Sequence, residues 1–293
     1  MSALPETPGV TLNAEGLIAL RHVALQARTE PILADLPGGF AAKRKGHGQE
    51  VADVRAYVSG DDLRHLDRGT TARTGELHVR QFMDERDRVT LLVADFRAPM
   101  LWGVTRAFRS VAVAEALALL GWQAVEQGGR VGLLAITGVT TLAVRPRGRV
   151  RGMLDVIGGL VTAHAQALAS PANQPLAPAL ERVERLVPRR AEVVVASGFD
   201  GIDGLEDRLS EIARRRPLRL LRMGDAESGR LPRGRYPIRL PDGRRLRVSL
   251  TGKSQSTPPL EVAGHPVLNL DAGWPVHDLA RQLSAAFPAD RSP

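Results

Sequence analysis

Residues Val89–Gly103, VTLLVADFRAPMLWG, open as an apolar run, close that run on an acid, and turn through arginine and proline to an aromatic. A short aliphatic run without polar alternation reads as a strand buried on both faces. Asp95 then stands at the strand's carboxyl end, the rim where open α/β sheets bind their ligands. An acid there invites a metal ion. Phe96, Arg97, Ala98 and Pro99, however, bring no side-chain oxygen to help it hold one.

Outward from this stretch, strands and helices alternate. FRSVAVAEALALLGWQAVEQ reads as a helix stopped by Gly128–Gly129, RVGLLAIT as a second strand and TTLAVRP as a third. Helices follow in VRGMLDVIGGLVTAHAQALA and LAPALERVERLV, then strand AEVVVAS, helix LEDRLSEIARR and strand LRLLRM. This order predicts an α/β fold with a doubly wound, mostly parallel sheet. Upstream, Asn13 caps a helix over AEGLIALRHVALQAR, with Leu17, Leu20, Ala24 and Ala27 on one face. EVADVRAYV and ELHVRQF are strand-like, with turns at Ser59–Gly60–Asp61 and Thr74–Gly75. Downstream, GRYPIRLPDGRRLRVSL reads as a hairpin turning at Asp242–Gly243, TGKSQSTPPLEVAG as a loop and PVHDLARQLSAAF as a closing helix. The expected divisions are a helical lead-in (1–40), a charged β-rich segment (41–88), the α/β core (89–223) and a basic C-terminal extension (224–293).

The chain has 293 residues and no cysteine, which excludes disulfides, thiolate metal sites and thiol nucleophiles. The start MSALPETPGV shows no secretory pattern, and no apolar stretch is long enough for a membrane helix, so a cytoplasmic protein is expected. Net charge is +8, but thirteen Arg or Lys against three acids lie between Arg214 and Lys253, a local +10 that leaves −2 elsewhere. Arg233, Arg235, Arg244 and Arg245 form its basic patch, suited to an acidic protein or, as the weaker alternative, nucleic acid. Aromatics for stacking are scarce at 4%.

The stretch GHGQEVADVRAYVSGDDLRHLDRGTTARTGELHVRQFMDERD resembles the signature of a bacterial family, domain of unknown function 58. The matching residues are Gly46, Gly48, Glu50, Arg55, Tyr57, Gly60, Asp61, Asp62, Arg64, Asp67, Ala72, Arg73, Arg80, Phe82, Glu85 and Arg86. Arg68 departs from the family's tryptophan and Leu66 from its isoleucine. RMGDAESGRLPRG is similar to a later family stretch, with Ala226 in place of proline. The likeness runs from about residue 36 to 250.

The resemblance implies a core similar to a von Willebrand factor A domain, many of which hold Mg²⁺ in a metal-ion-dependent adhesion site. That site uses D-x-S-x-S, a threonine from a second loop and an aspartate from a third. Carried over residue by residue, the first aspartate is Asp95, while Arg97 and Pro99 replace the serines. The second loop corresponds to NQPLAPAL, which has no threonine, and Ser197–Gly198 replaces the family's Ser–Asp. The implied site is degenerate, with no cofactor and no metal, and Asp95 is vestigial; Asp200 is the alternative ligand. Arg97 either pairs with Asp95 in place of the ion or points to solvent while Asp95 caps the loop.

The resemblance also implies a non-catalytic adaptor working with a MoxR-type AAA ATPase and other von Willebrand A proteins in complex assembly or stress, any membrane contact being indirect. Asp95, Arg97, Trp102, Gly198 and Asp200 are its expected protein-binding residues. The alternatives are metal-dependent protein binding through a remodelled site, and a hydrolase using the acids of residues 50–67 with His47 and His65. Interleaved arginines at 55, 64, 68 and 73 favour structural ion pairs there. Val195, Ala196 and Phe199 around Ser197–Gly198 do not make a nucleophile elbow. No phosphate-binding G-x-x-x-x-G-K-[ST] loop occurs, and Gly46–His47–Gly48 lacks the strand-then-helix setting of a dinucleotide site.

Overall fold

The computed structural model describes residues 7–29, 51–58, 66–82, 88–201, 204–227, 232, 234–239, 245–250 and 259–287. Its strands are β1 (Val51–Ala56), β2 (His78–Phe82), β3 (Val89–Phe96), β4 (Arg130–Thr137), β5 (Thr141–Gly148), β6 (Glu192–Ser197), β7 (Leu218–Gly224), β8 (Gly234–Arg239), β9 (Arg245–Leu250), β10 (Glu261–Val262) and β11 (His265–Asp271). Its helices are α1 (Ala14–Thr29), α2 (Arg68–Thr74), α3 (Arg109–Glu126), α4 (Arg149–Ala169), α5 (Leu176–Leu180), α6 (Val183–Leu186), α7 (Leu205–Ala213) and α8 (Val276–Ala286).

Seven strands form one sheet in the order β10-β11-β7-β6-β3-β4-β5, parallel from β11 to β4 with an antiparallel strand at each edge. The expected mostly parallel, doubly wound α/β fold is what forms. Every residue of β3 is buried, because its side chains alternate between two covered faces. Leu92, Ala94 and Phe96 pack with α1, α3, α4 and α8, while Leu91 and Val93 pack with α5, α6 and α7. Small residues let α3 approach closely: a Cβ added at Gly121 would fall 2.6 Å from Met153 Sδ and 3.1 Å from Leu92 Cδ1.

The N-terminal helix is part of this layer. Asn13 Oδ1 accepts from Gly16 N at 2.7 Å, a side-chain cap on α1. Leu17, Leu20, Ala24 and Ala27 are buried, as their spacing predicts. Trp122 Nε1 of α3 donates to Leu17 O at 3.0 Å, and Arg21 lies over the Trp122 ring while pairing with Glu126.

Two elements differ from the sequence reading, and a third, given no direction there, acquires one. TTLAVRP forms β5 but runs antiparallel to β4, since only the short turn around Gly138–Thr140 separates them and a parallel partner needs a longer crossover. LAPALERVERLV is two short helices rather than one, although Leu176, Leu180, Val183 and Val187 stay buried through the break. The run read as ending in Leu218–Met223 is not the last strand of the sheet. Val267, Leu268 and Leu270 of β11 are buried and add a further parallel strand beside β7, so residues beyond 224 enter the core. Pro266 and Asn269 interrupt that run and mask its strand character.

β1 and β2 pair antiparallel, as do β8 and β9. Arg55 and Arg80 lie on β1 and β2, opposite Val79 and Val54 respectively. The charged segment also contains α2, which the strand reading did not include. Asp67 Oδ1 caps it by accepting from Thr70 N at 2.7 Å, and Gly75 ends it at φ +78°, a conformation glycine adopts without strain. Gly46, His47, Gly48, Glu50, Gly60, Asp61, Asp62, Arg64, His65, Glu85 and Arg86, with the turns at 59–61 and 242–243, lie outside the described residues, as do Arg233 and Arg244.

Candidate functional site

The chain leaves β3 for β4 on one side and later returns to place β6 on the other. Strand order therefore reverses between β3 and β6, which opens a crevice beyond their carboxyl ends. The period of two carries Leu91, Val93 and Asp95 down one face of β3, and Val193, Val195 and Ser197 down the same face of β6. The pairing of Ala94 with Ala196 sets Asp95 beside Ser197, and that of Ser197 with Arg222 adds a cation from β7.

Asp95 is 1% exposed and Arg97 2%. Arg97 grips its neighbour with both arms of its fork: Nε donates to Asp95 Oδ1 at 2.9 Å and Nη2 to Oδ2 at 2.8 Å. The Arg97 backbone N also donates to Oδ1 at 3.0 Å. Ser197 Oγ donates to Oδ2 at 2.6 Å and itself accepts from Phe199 N at 2.8 Å. Phe199 holds φ +55°, left-handed backbone that a non-glycine residue adopts only under constraint.

The rest of the Arg97 guanidinium reaches two other loops. Nη1 donates to Gln174 O at 3.0 Å and points to Asn173 Oδ1 at 3.5 Å, while Nη2 also reaches Asp200 O at 3.3 Å. A guanidinium has five N–H donors, and all five here are directed at protein acceptors. One cation thus ties the loops after β3, α4 and β6 together. The pairing reading of Arg97 is the one the geometry supports, and the solvent-pointing alternative is not.

A second guanidinium sits beside the first. Arg109 is the first residue of α3 and is buried, although the positive end of a helix dipole disfavours a cation there. It is held by acceptors: Nε donates to Met223 O at 2.8 Å, and Nη1 to Pro99 O at 3.1 Å and Asp200 Oδ2 at 3.0 Å. Its Nη2 occupies the space a side chain at 198 would take, only 1.8 Å from the position of an added Cβ. Gly198 N meanwhile contacts Met100 Sδ at 3.1 Å. The space where the resemblance asks for an acid is filled by an arginine.

Arg222 completes the rim. Burial, then the neighbouring Arg109, lowers the pKa of its guanidinium, and Asp200 opposes them. Trp102 is 38% exposed and lies under Arg109, whose guanidinium carbon is 5.9 Å from the ring centroid. Val104, also exposed, is anchored by its backbone N to Asp225 Oδ2 at 2.7 Å.

Of the residues expected to act together, Asp95, Arg97, Trp102, Gly198 and Asp200 therefore share this rim. Tyr57, Asp67 and Arg73 belong to the β1–α2–β2 segment, and Arg235 and Arg245 are exposed on the β8–β9 pair. Arg109, Arg222 and Gln174 escaped the sequence reading. A cation at the first position of an apolar helix and another inside LRLLRM were the signals available.

Among the described residues no group of three or more His, Asp or Glu is placed to hold a metal ion, and no helix is long and apolar enough to cross a membrane. The family described as "Protein of unknown function DUF58" matches residues 53–250. Uncharacterized proteins of Mycobacterium tuberculosis and Mycobacterium bovis are 32% identical over 218 residues, which is 73% of this chain and 67% of theirs. Among solved structures, the conserved hypothetical protein BatB from Bacteroides thetaiotaomicron aligns at 12% identity and TM-score 0.44, covering 69% of this chain and all of that one. The SpRpn10 VWA domain aligns at 12% identity and TM-score 0.42, over 69% of this chain and 98% of its own.

Proposed function

The chain belongs to the DUF58 family, and from that premise we propose that it is a non-catalytic protein-binding adaptor whose rim works without a metal ion. The observation that carries this reading is the saturated Arg97 guanidinium. Mg²⁺ takes about six oxygen ligands in near-octahedral geometry. Here both oxygens of the Asp95 carboxylate are committed to Arg97, Ser197 and a backbone amide. Position 198 has no side chain, and Arg109 fills its space. The residues present do not fit Mg²⁺. A permanent cation already bridges the three loops that such an ion would bridge.

What the rim then offers is surface: an exposed indole, an exposed valine and two guanidiniums around one half-exposed carboxylate. Among the described residues no accessible nucleophile and base face one another: Ser197, which donates a hydrogen bond to Asp95, is buried, and that carboxylate is held by Arg97. The partner we propose is a MoxR-type AAA ATPase from the same organism, in a complex-assembly or stress role, with the ATPase supplying the nucleotide chemistry.

Mixing the two purified proteins with a non-hydrolysable ATP analogue or with ADP, and measuring association by interferometry, tests the partner. Binding in at least one nucleotide state that falls in Trp102→Ala is expected; no binding in either would overturn it. Calorimetry with Mn²⁺ tests the metal. Micromolar binding that disappears in Asp95→Ala would refute a metal-free rim.

A further inference from the structure

Beyond the buried pair the rim presents two guanidiniums, Arg109 and Arg222, and the half-exposed carboxylate of Asp200. Asp95 and Arg97 neutralise one another in the buried layer, while Asp200 is the acid that, among the described residues, faces both Arg109 and Arg222. Arg109 gives Nε and Nη1 to protein acceptors, while its Nη2 makes no hydrogen bond among the described residues. Arg222 makes no hydrogen bond or ion pair among the described residues either, although it is partly buried and stands against another guanidinium. An arginine in that position gains more from an incoming anion than one surrounded by water. Its planar fork matches a carboxylate with two parallel bonds.

The apolar groups beside this charge define the ligand further. Trp102 is exposed beside Arg109, whose planar group lies over the indole, and Val104, two residues further on, is exposed as well. A free inorganic anion would leave both uncovered. A polypeptide that places an acid next to an aliphatic residue covers both and satisfies Arg222 at once.

We propose that Arg222, with Arg109 and Trp102, is a docking point for an acidic side chain flanked by an aliphatic one on a partner protein, and that Asp200 acts as the built-in competitor for it. This rests on the adaptor reading above and names the chemistry its partner must present. Asp200 holds Arg109 at 3.0 Å while its side chain is 48% exposed, so an external carboxylate replaces it in kind. Its backbone carbonyl, which receives Arg97, is untouched by the exchange.

The test uses a dye-labelled peptide of glutamate and leucine, and its twin with glutamine for every glutamate, titrated with the full chain and read by anisotropy. The acidic peptide is expected to bind and the twin to bind at least about tenfold more weakly. Arg222→Gln should weaken the acidic peptide at least about tenfold, and Asp200→Asn should tighten it several-fold. Arg235→Gln with Arg245→Gln, on the β8–β9 pair, should leave it unchanged, which separates this site from general attraction to a basic protein.

No binding of the acidic peptide, equal binding of the twin, indifference to Arg222→Gln or weakening by Asp200→Asn would each overturn the proposal. So would a loss confined to the β8–β9 variant. The ATPase titration keeps the two readings apart. Association that survives Arg222→Gln leaves an adaptor without acid recognition. Peptide binding that behaves as described without any ATPase association leaves the acid site and removes that partner.

Discussion

The guanidinium of Arg97 meets both carboxylate oxygens of Asp95 at 2.9 and 2.8 Å, two residues apart in the chain and both shielded from water. Ion pairs of this kind are asymmetric in their energetics. Forming one from solvated groups gains little net, but removing one partner strands a buried charge. Because the same guanidinium also reaches Gln174 and Asp200, its loss releases two loops as well as the acid.

Arg97→Met should therefore destabilise the protein by roughly 3–5 kcal/mol. Adding Asp95→Asn to the Arg97→Met variant should recover part of that loss, since it removes the stranded charge. Urea unfolding of the single variant, the double variant and the parent measures both. A single-variant loss below about 1 kcal/mol would mean the pair is no more than an exposed bridge.

Divalent cations should leave the folded state indifferent. A ligand that binds only the native protein raises stability by RT ln(1 + [L]/Kd), so a tight Mg²⁺ site would declare itself in the melting temperature. Millimolar Mg²⁺, or EDTA, is expected to leave the midpoint unchanged. A rise with Mg²⁺ that is absent in Asp95→Ala would show the carboxylate can exchange its arginine for an ion.

His164 supplies a pH dependence of known sign. It is buried between α3 and α4, its Nε2 lies 2.9 Å from Ser110 Oγ, and its ring meets Phe96 edge-on. Desolvation lowers its pKa from 6.5 to about 4. Between those values the unfolded chain binds a proton that the folded one refuses, so stability should fall as pH drops from about 6.5 towards 4 and be flat above. The contribution is on the order of 3 kcal/mol. Carboxylates titrate in the lower part of the same range, so the comparison is with His164→Leu, which should lose this part of the slope while keeping theirs.

The sequence carried the fold further than the site, for a physical reason. Hydrophobic periodicity reports burial, so VTLLVAD, the α3 run and the Leu17–Leu20–Ala24–Ala27 face could be placed from spacing alone. The direction of β5 and the presence of β11 depend on connection length and on pairing with distant strands. A seven-residue run broken by proline and asparagine gives little sign of β11. Within the site, the identities at 95, 97, 99 and 198 were enough to question a metal. What occupies the gap at 198 was not legible, because Arg109 lies 89 positions upstream and reaches it only through the parallel arrangement of β3, β6 and β7.

That long-range contact makes the last prediction. An alanine at 198 places its Cβ 1.8 Å from Arg109 Nη2 and 2.4 Å from Asp200 Oδ2. The far end of an arginine can usually swing aside. Here Nε is tied to Met223 O and Nη1 to Pro99 O, so retreat breaks hydrogen bonds from a cation, each worth about 1.5–3 kcal/mol. Gly198→Ala should then destabilise by about 1–3 kcal/mol, the usual range for inserting a methyl where none fits. Arg109→Ala removes the obstruction and leaves a void beside 198, so the same substitution in that background should be close to neutral. Denaturant unfolding of the parent, both single variants and the double completes the cycle, with an expected coupling of at least about 1 kcal/mol. Simple additivity would mean that Gly198 answers to the backbone, or to Asp200, and that the two positions are neighbours without being partners.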